Sequence, residues 1–131
     1  MANPVILFYN LDNEKGRKLK LICLKHKIKI KVIEKAQYSS AVGTLAGLSD
    51  LPVPVTPQDV PETDFSDEMI VFHNFDNRLL NTFLLEFKKN SLPRVDLKAV
   101  LTEHNRTWNS YHLHNELSTE HEAMTARVKE R

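Results

Sequence analysis

The sequence predicts one α/β domain, residues 1–131, built on a four-stranded, mainly parallel sheet made from two β-α-β repeats plus a C-terminal helix. Three observations point there. Short apolar runs rich in β-branched and aromatic residues alternate along the chain with segments of helical period. The segment ILFYNLDN at 6–13 returns as IVFHNFDN at 70–77, where Ile6, Phe8, Asn10, Asp12 and Asn13 match Ile70, Phe72, Asn74, Asp76 and Asn77. The first strand of each copy is apolar throughout and suits a central position, whereas the second alternates with charge and suits an edge.

The elements follow in order. The first β-α-β unit covers 5–34. VILFY at 5–9 is a strand, and Asn10, Asp12 and Asn13 suit a turn and a helix N-cap. Leu19, Ile22, Cys23 and His26 then recur at i, i+3, i+4 and i+7, which makes one face of a helix, and IKIKVIE at 28–34 alternates as a half-exposed strand. Residues 35–68 hold a short helix within 37–48, weakened by Gly43 and Gly47, and a Pro-studded acidic loop at 49–68. The Gly43/Gly47 spacing points to tight packing or turn chemistry. The second unit covers 69–101, with Leu80, Phe83, Leu84 and Phe87 on one helix face and VDLKAVL at 95–101 as its closing strand. A last helix covers 109–128, starting near Asn109 or Ser110, with Leu113, Leu117, His121, Met124 and Val128 as its packing stripe.

Strand order 2-1-3-4, with helices on both faces, satisfies these placements and right-handed crossovers. A ferredoxin-like α+β sheet of order 4-1-3-2 is the alternative. The difference matters for function. If strands one and three are parallel neighbours, the two Asn-x-Asp-Asn turns converge at a switch point, and Tyr9, Asn10, Asp12, His73, Asn74 and Asp76 form one candidate ligand site. Thr102 and Asn105, which follow the fourth strand, would join it.

Composition narrows the classes further. The chain has 131 residues, 41% hydrophobic and 27% charged, with 3 Gly and 6 Pro, which excludes collagen-like and low-complexity chains and leaves room for one domain. The longest apolar run falls far short of the roughly 20 residues of a membrane span, and no basic segment leads into a signal-type run, so a cytoplasmic protein without membrane contact is expected. Cys23 is the sole cysteine, which excludes an internal disulfide, a zinc knuckle and a CxxC motif.

Charge is balanced overall at +1 but segregated along the chain. Nine basic residues between 15 and 35, among them Lys15, Arg17, Lys18, Lys20, Lys25 and Lys27, face Glu34 alone, whereas 50–76 carries seven acids and no Lys or Arg. Two solvated faces account for such blocks, and so does an electrostatic partner surface or a phosphate-tracking patch.

No familiar chemistry emerges from the motifs. His112, Glu116 and Glu120 at i, i+4 and i+8, with His114 and His121 on the same helix, are explained by a wet face and helix-stabilising pairs, and no HExxH or Cys cluster accompanies them. Asp12, Asp76 and Thr102 each follow a strand, like the acidic pocket of receiver domains. The paired acids and the Lys of that pocket are missing, however, and N-capping explains the turns. The first turn has only Gly16 and neither phosphate-loop pattern, so no nucleotide cofactor is expected. Cys23, with His26 adjacent on its helix, reads as a small buried hydrophobe. An RNA-stacking platform is excluded because Leu7 stands where its aromatic would be. Trp108 reads as a packing anchor.

Across 10–24, 40–48, 67–75 and especially LKAVLTEHN at 97–105, followed by Trp108, Leu113, Glu116 and Leu117, the chain resembles a family of small bacterial proteins known only as a domain of unknown function. The resemblance implies a fold and a lineage and carries no catalytic or ligand residues. The reading that follows is a non-catalytic regulatory or protein-interaction module without cofactor or metal, with a protein partner or a homodimer as its contact. A small-molecule or enzymatic site at the strand ends is the alternative. Nucleic-acid binding through the basic first helix is a further one.

Overall fold

A computed structural model describes residues 3–49, 51 and 64–129, with side chains as far as 123. Its elements are β1 (Val5–Tyr9), α1 (Glu14–Lys25), β2 (Lys29–Ile33), a 3₁₀ turn at Lys35–Gln37, α2 (Val42–Leu45), β3 (Met69–His73), α3 (Asn77–Lys89), β4 (Leu97–Val100) and α4 (Ser110–Lys129). Most of the Pro-rich loop expected at 49–68 lies outside the described residues, as do the side chains of Met124 and Val128.

The sheet has the order β2-β1-β3-β4. β1 pairs with β2 in parallel, and β3 pairs with β4 in parallel. The fully apolar strands are central, and the strands that alternate with charge lie at the edges. The central pair, β1 and β3, is antiparallel: Tyr9 stands beside Met69 and Val5 beside His73. β2, parallel to β1, finishes at the end of the sheet where Tyr9 lies, and β3 starts at that same end.

This arrangement makes a pseudo-two-fold relation. In the β1–β3 ladder Leu7 faces Val71, its own counterpart 64 positions on. The same offset carries much of the backbone. Asn10 (φ 57°) and Asn74 (φ 62°) leave the central strands in left-handed geometry, and Lys27 (φ 57°) and Ser91 (φ 51°) follow the two helices in the same way. Both helices then end alike. Ile28 N–H donates to Cys23 O at 2.8 Å, and Leu92 N–H donates to Phe87 O at 2.9 Å, satisfying helix-end carbonyls in both halves.

Each strand face is buried under its own layer. The even-numbered residues Ile6, Phe8, Ile70 and Phe72 pack beneath α1 and α3 against Leu19, Ile22, Cys23 and Phe83. The odd-numbered residues Leu7, Tyr9, Met69 and Val71 pack against Tyr38, Val42, Leu45 and Leu113 on the opposite side. Trp108 is half-buried against that second core, as a packing anchor should be. The helix expected within 37–48 shrinks to α2 because its backbone is committed elsewhere. Val42 and Gly43 donate N–H groups to Trp108 O and Arg106 O at 2.8 and 2.9 Å, and a Cβ on Gly43 would meet Arg106 O at 2.8 Å.

Candidate functional site

The antiparallel centre divides the expected strand-end site. Asn10 and Asp12 leave β1 at one end of the sheet. Asn74 and Asp76, with Thr102 and Asn105 beyond the parallel β4, lie at the other, about 16 Å away for a five-residue strand. The convergence expected from parallel neighbours is corrected accordingly, and most of these side chains have structural employment.

At the first end, Asn13 rather than Asp12 caps α1, accepting from Gly16 N–H at 2.9 Å, and Asp12 stays exposed. Asn10 donates its amide to Asp67 O at 2.9 Å and Phe65 O at 3.3 Å. Tyr9 is fully buried, and its hydroxyl shares a 2.7 Å hydrogen bond with Ser110 Oγ. Burial pushes the pKa of that phenol far above its ordinary value. Around it stand aromatic residues the sequence did not single out. Tyr38 and Phe65 stack at 4.5 Å, and Phe65 stacks on His114 at 4.0 Å with rings nearly parallel. His114 bonds Asp67 at 2.8 Å, and Tyr111 donates to Asp64 at 2.5 Å, which holds the phenol up to about 12. This end therefore fastens the 64–68 segment to α4. Phe65 and His114 are separated by 49 positions, so no local pattern could have joined them.

At the second end, Asp76 caps α3, accepting from Leu79 N–H at 2.7 Å. Asn74 donates to Asn3 O at 3.2 Å, the counterpart of the Asn10 to Asp67 bond. Asn105 Oδ1 accepts from Thr102 N–H at 2.8 Å, and its amide donates to Val100 O at 3.1 Å, which locks the turn after β4. His73 is half-buried, and burial lowers its basicity.

The basic block is more divided than its sequence suggests. Lys15 reaches Glu68 at 2.5 Å, with its side chain only 12% exposed, so it belongs to the fold. Lys18 pairs with Glu14 at 3.7 Å and Lys25 with the buried Glu86 at 3.6 Å. Among the described residues no carboxylate pairs with Arg17, Lys20 or Lys27. Between these cations lies apolar surface. Leu21 and Leu24 of α1 are 66% and 71% exposed, and Leu85 of α3 is 55% exposed. Leu21 and Leu85 are counterparts at the 64-residue offset, so both helices present a leucine outward. A groove of about 340 Å³ between the helices is lined by Lys18, Leu21, Lys25 and Glu86.

The remaining chemical candidates have ordinary surroundings. Cys23 is completely buried, and burial pushes its thiol up to about 12. His112 pairs with Glu116 at 3.7 Å and His121 with Asp96 at 3.8 Å. Among the described residues no group of three or more His, Cys, Asp or Glu side chains is placed to hold a metal ion. None of the described helices is long and apolar enough to cross a membrane.

The fold defines a small α/β protein with a mixed, mostly parallel four-stranded sheet between two helical layers. Within it, residues 68–124, from the start of β3 into α4, match the family model of a domain of unknown function, DUF3783. The stretch LKAVLTEHN at 97–105 and Trp108 fall inside that match, whereas 10–24 and 40–48 lie outside it. No curated protein and no solved structure matches the chain.

Proposed function

We propose that this protein is a non-catalytic interaction module that docks an acidic, amphipathic segment of a partner protein across the outer face of α1 and α3. The observation that carries the reading is the set of three exposed leucines, Leu21, Leu24 and Leu85, surrounded by lysines on two helices of one layer. Apolar side chains supply burial, and the excess of positive charge selects an acidic partner and speeds its approach. The strand ends fit a catalytic role less well, since their side chains cap helices and tie turns.

A defined probe tests this: a synthetic helical peptide with leucines on one face and glutamates on the other, titrated into the isotopically labelled protein. Saturable amide shifts confined to α1 and α3 are expected, weakening with salt and by about tenfold in the Leu21→Ser/Leu24→Ser variant. Absence of saturable shifts, or binding indifferent to the leucines, overturns the reading. Stronger binding of a DNA duplex to the same lysines would transfer the surface to nucleic acid.

A further inference from the structure

A second site stands apart from that face, at the far side of α3. Between the C-terminal half of α3 and the edge strand β4 is a cavity of about 300 Å³, the lower end of the range for small-molecule sites. Its walls are apolar, from Leu84, Phe87, Leu92 and the buried Val95. Lys88, Ser91, Arg94 and Lys98 complete the lining, and among the described residues no carboxylate does.

The unequal halves explain why a cavity exists here. Val5 of β1 is level with Lys29 of β2, whereas Met69 of β3 is level with Leu97 of β4, so the second strand arrives four residues later in the second half. In the first half Ile28 leads directly from α1 into β2. In the second half the extra connection, including Arg94 and Val95, separates α3 from β4 and leaves the space open. Where the first half has the small buried Cys23, the second has Phe87 at the cavity wall.

We propose that this cavity binds a small amphiphilic carboxylate, with its hydrocarbon body among Leu84, Phe87 and Val95 and its carboxylate between Arg94 and Lys98. Arg94 lies beside Asp96 at 3.2 Å but keeps the remaining guanidinium donors, and Lys98 Nζ donates to Val95 O at the base of the wall. Burial and the neighbouring Arg94 disfavour the charge on Lys98 and outweigh Asp96, which favours it. An anion placed between these two cations removes that repulsion and gains charge-assisted hydrogen bonds.

Monomeric octanoate is the probe, with octylamine and butyrate as controls, read by amide and methyl shifts. Saturable shifts limited to the C-terminal half of α3, the 90–96 connection and β4 are expected with octanoate. Octylamine and butyrate should bind at least about tenfold more weakly, and so should octanoate to the Arg94→Ala/Lys98→Met variant. If that variant fails to fold, Leu84→Trp, which fills the mouth from a half-exposed position, supplies the same loss. Equal binding of octylamine, shifts spread over the outer face of α1, or attachment to phosphatidylglycerol vesicles without any response to monomeric octanoate would overturn the proposal.

Discussion

Replacing Asn10 separates two contributions that coincide at one residue. Its backbone stands at φ 57°, and its amide reaches Asp67 O and Phe65 O at 2.9 and 3.3 Å. Left-handed geometry costs an ordinary L-residue about 1–2 kcal/mol, a penalty that glycine escapes. A hydrogen bond adds about 1 kcal/mol net, and the longer of the two adds less. Asn10→Ala loses both contributions and should cost about 2–3 kcal/mol, whereas Asn10→Gly loses only the side-chain bonds and should cost about 1 kcal/mol. Asn74, at φ 62° with one exposed 3.2 Å bond, calibrates the comparison. Its Ala variant should fall below that of Asn10, and its Gly variant should be nearly neutral. Urea unfolding followed by circular dichroism, at unchanged m, measures all four. If Asn10→Gly is as costly as Asn10→Ala, the backbone argument is wrong. If Asn74→Ala is the more damaging, the hydrogen bonds do not hold the 64–68 segment.

Two other expectations follow from buried groups. With its thiol pushed up to about 12, Cys23 should react with a disulfide reagent only as fast as α1 opens, and labelling of the native protein within the mixing time would contradict its burial. His73 has its basicity lowered by burial, so below its ordinary value of 6.5 the unfolded chain binds more protons there than the folded one does. Stability contributed by this residue is therefore lost as the pH falls through 6.5, and His73→Gln should gain melting temperature relative to the parent between pH 7 and 5. A constant difference between the two across that interval would refute the assignment.

Much of the architecture was legible because each signal had a single physical cause. Apolar runs at 5–9 and 69–73 fit only buried central strands, the lysines of 29–33 fit an edge, and the inward face containing Leu19, Ile22 and Cys23 followed from helical period. The relative direction of β1 and β3 was not legible. Leu7 and Val71 are buried on either orientation of the pair, and handedness rules constrain each β-α-β unit without reaching across the long connection between them. That one undetermined direction decided whether Asn10 and Asn74 shared a pocket. The role of Lys15 was hidden for a related reason, since its Glu68 partner lies 53 residues away. Within the basic block it was indistinguishable from lysines that face water.

The two-fold relation through Leu7 and Val71 also gives the molecule an internal control. A substitution at Asn10 or Leu21 can be repeated at Asn74 or Leu85, in the same backbone setting and the same solvent, so local geometry can be held fixed while the surroundings change. Whatever differs between such paired variants belongs to the neighbourhood rather than to the motif. By that measure the space beside Phe87, which stands where the other half has the small Cys23, is where the two halves have become chemically different things.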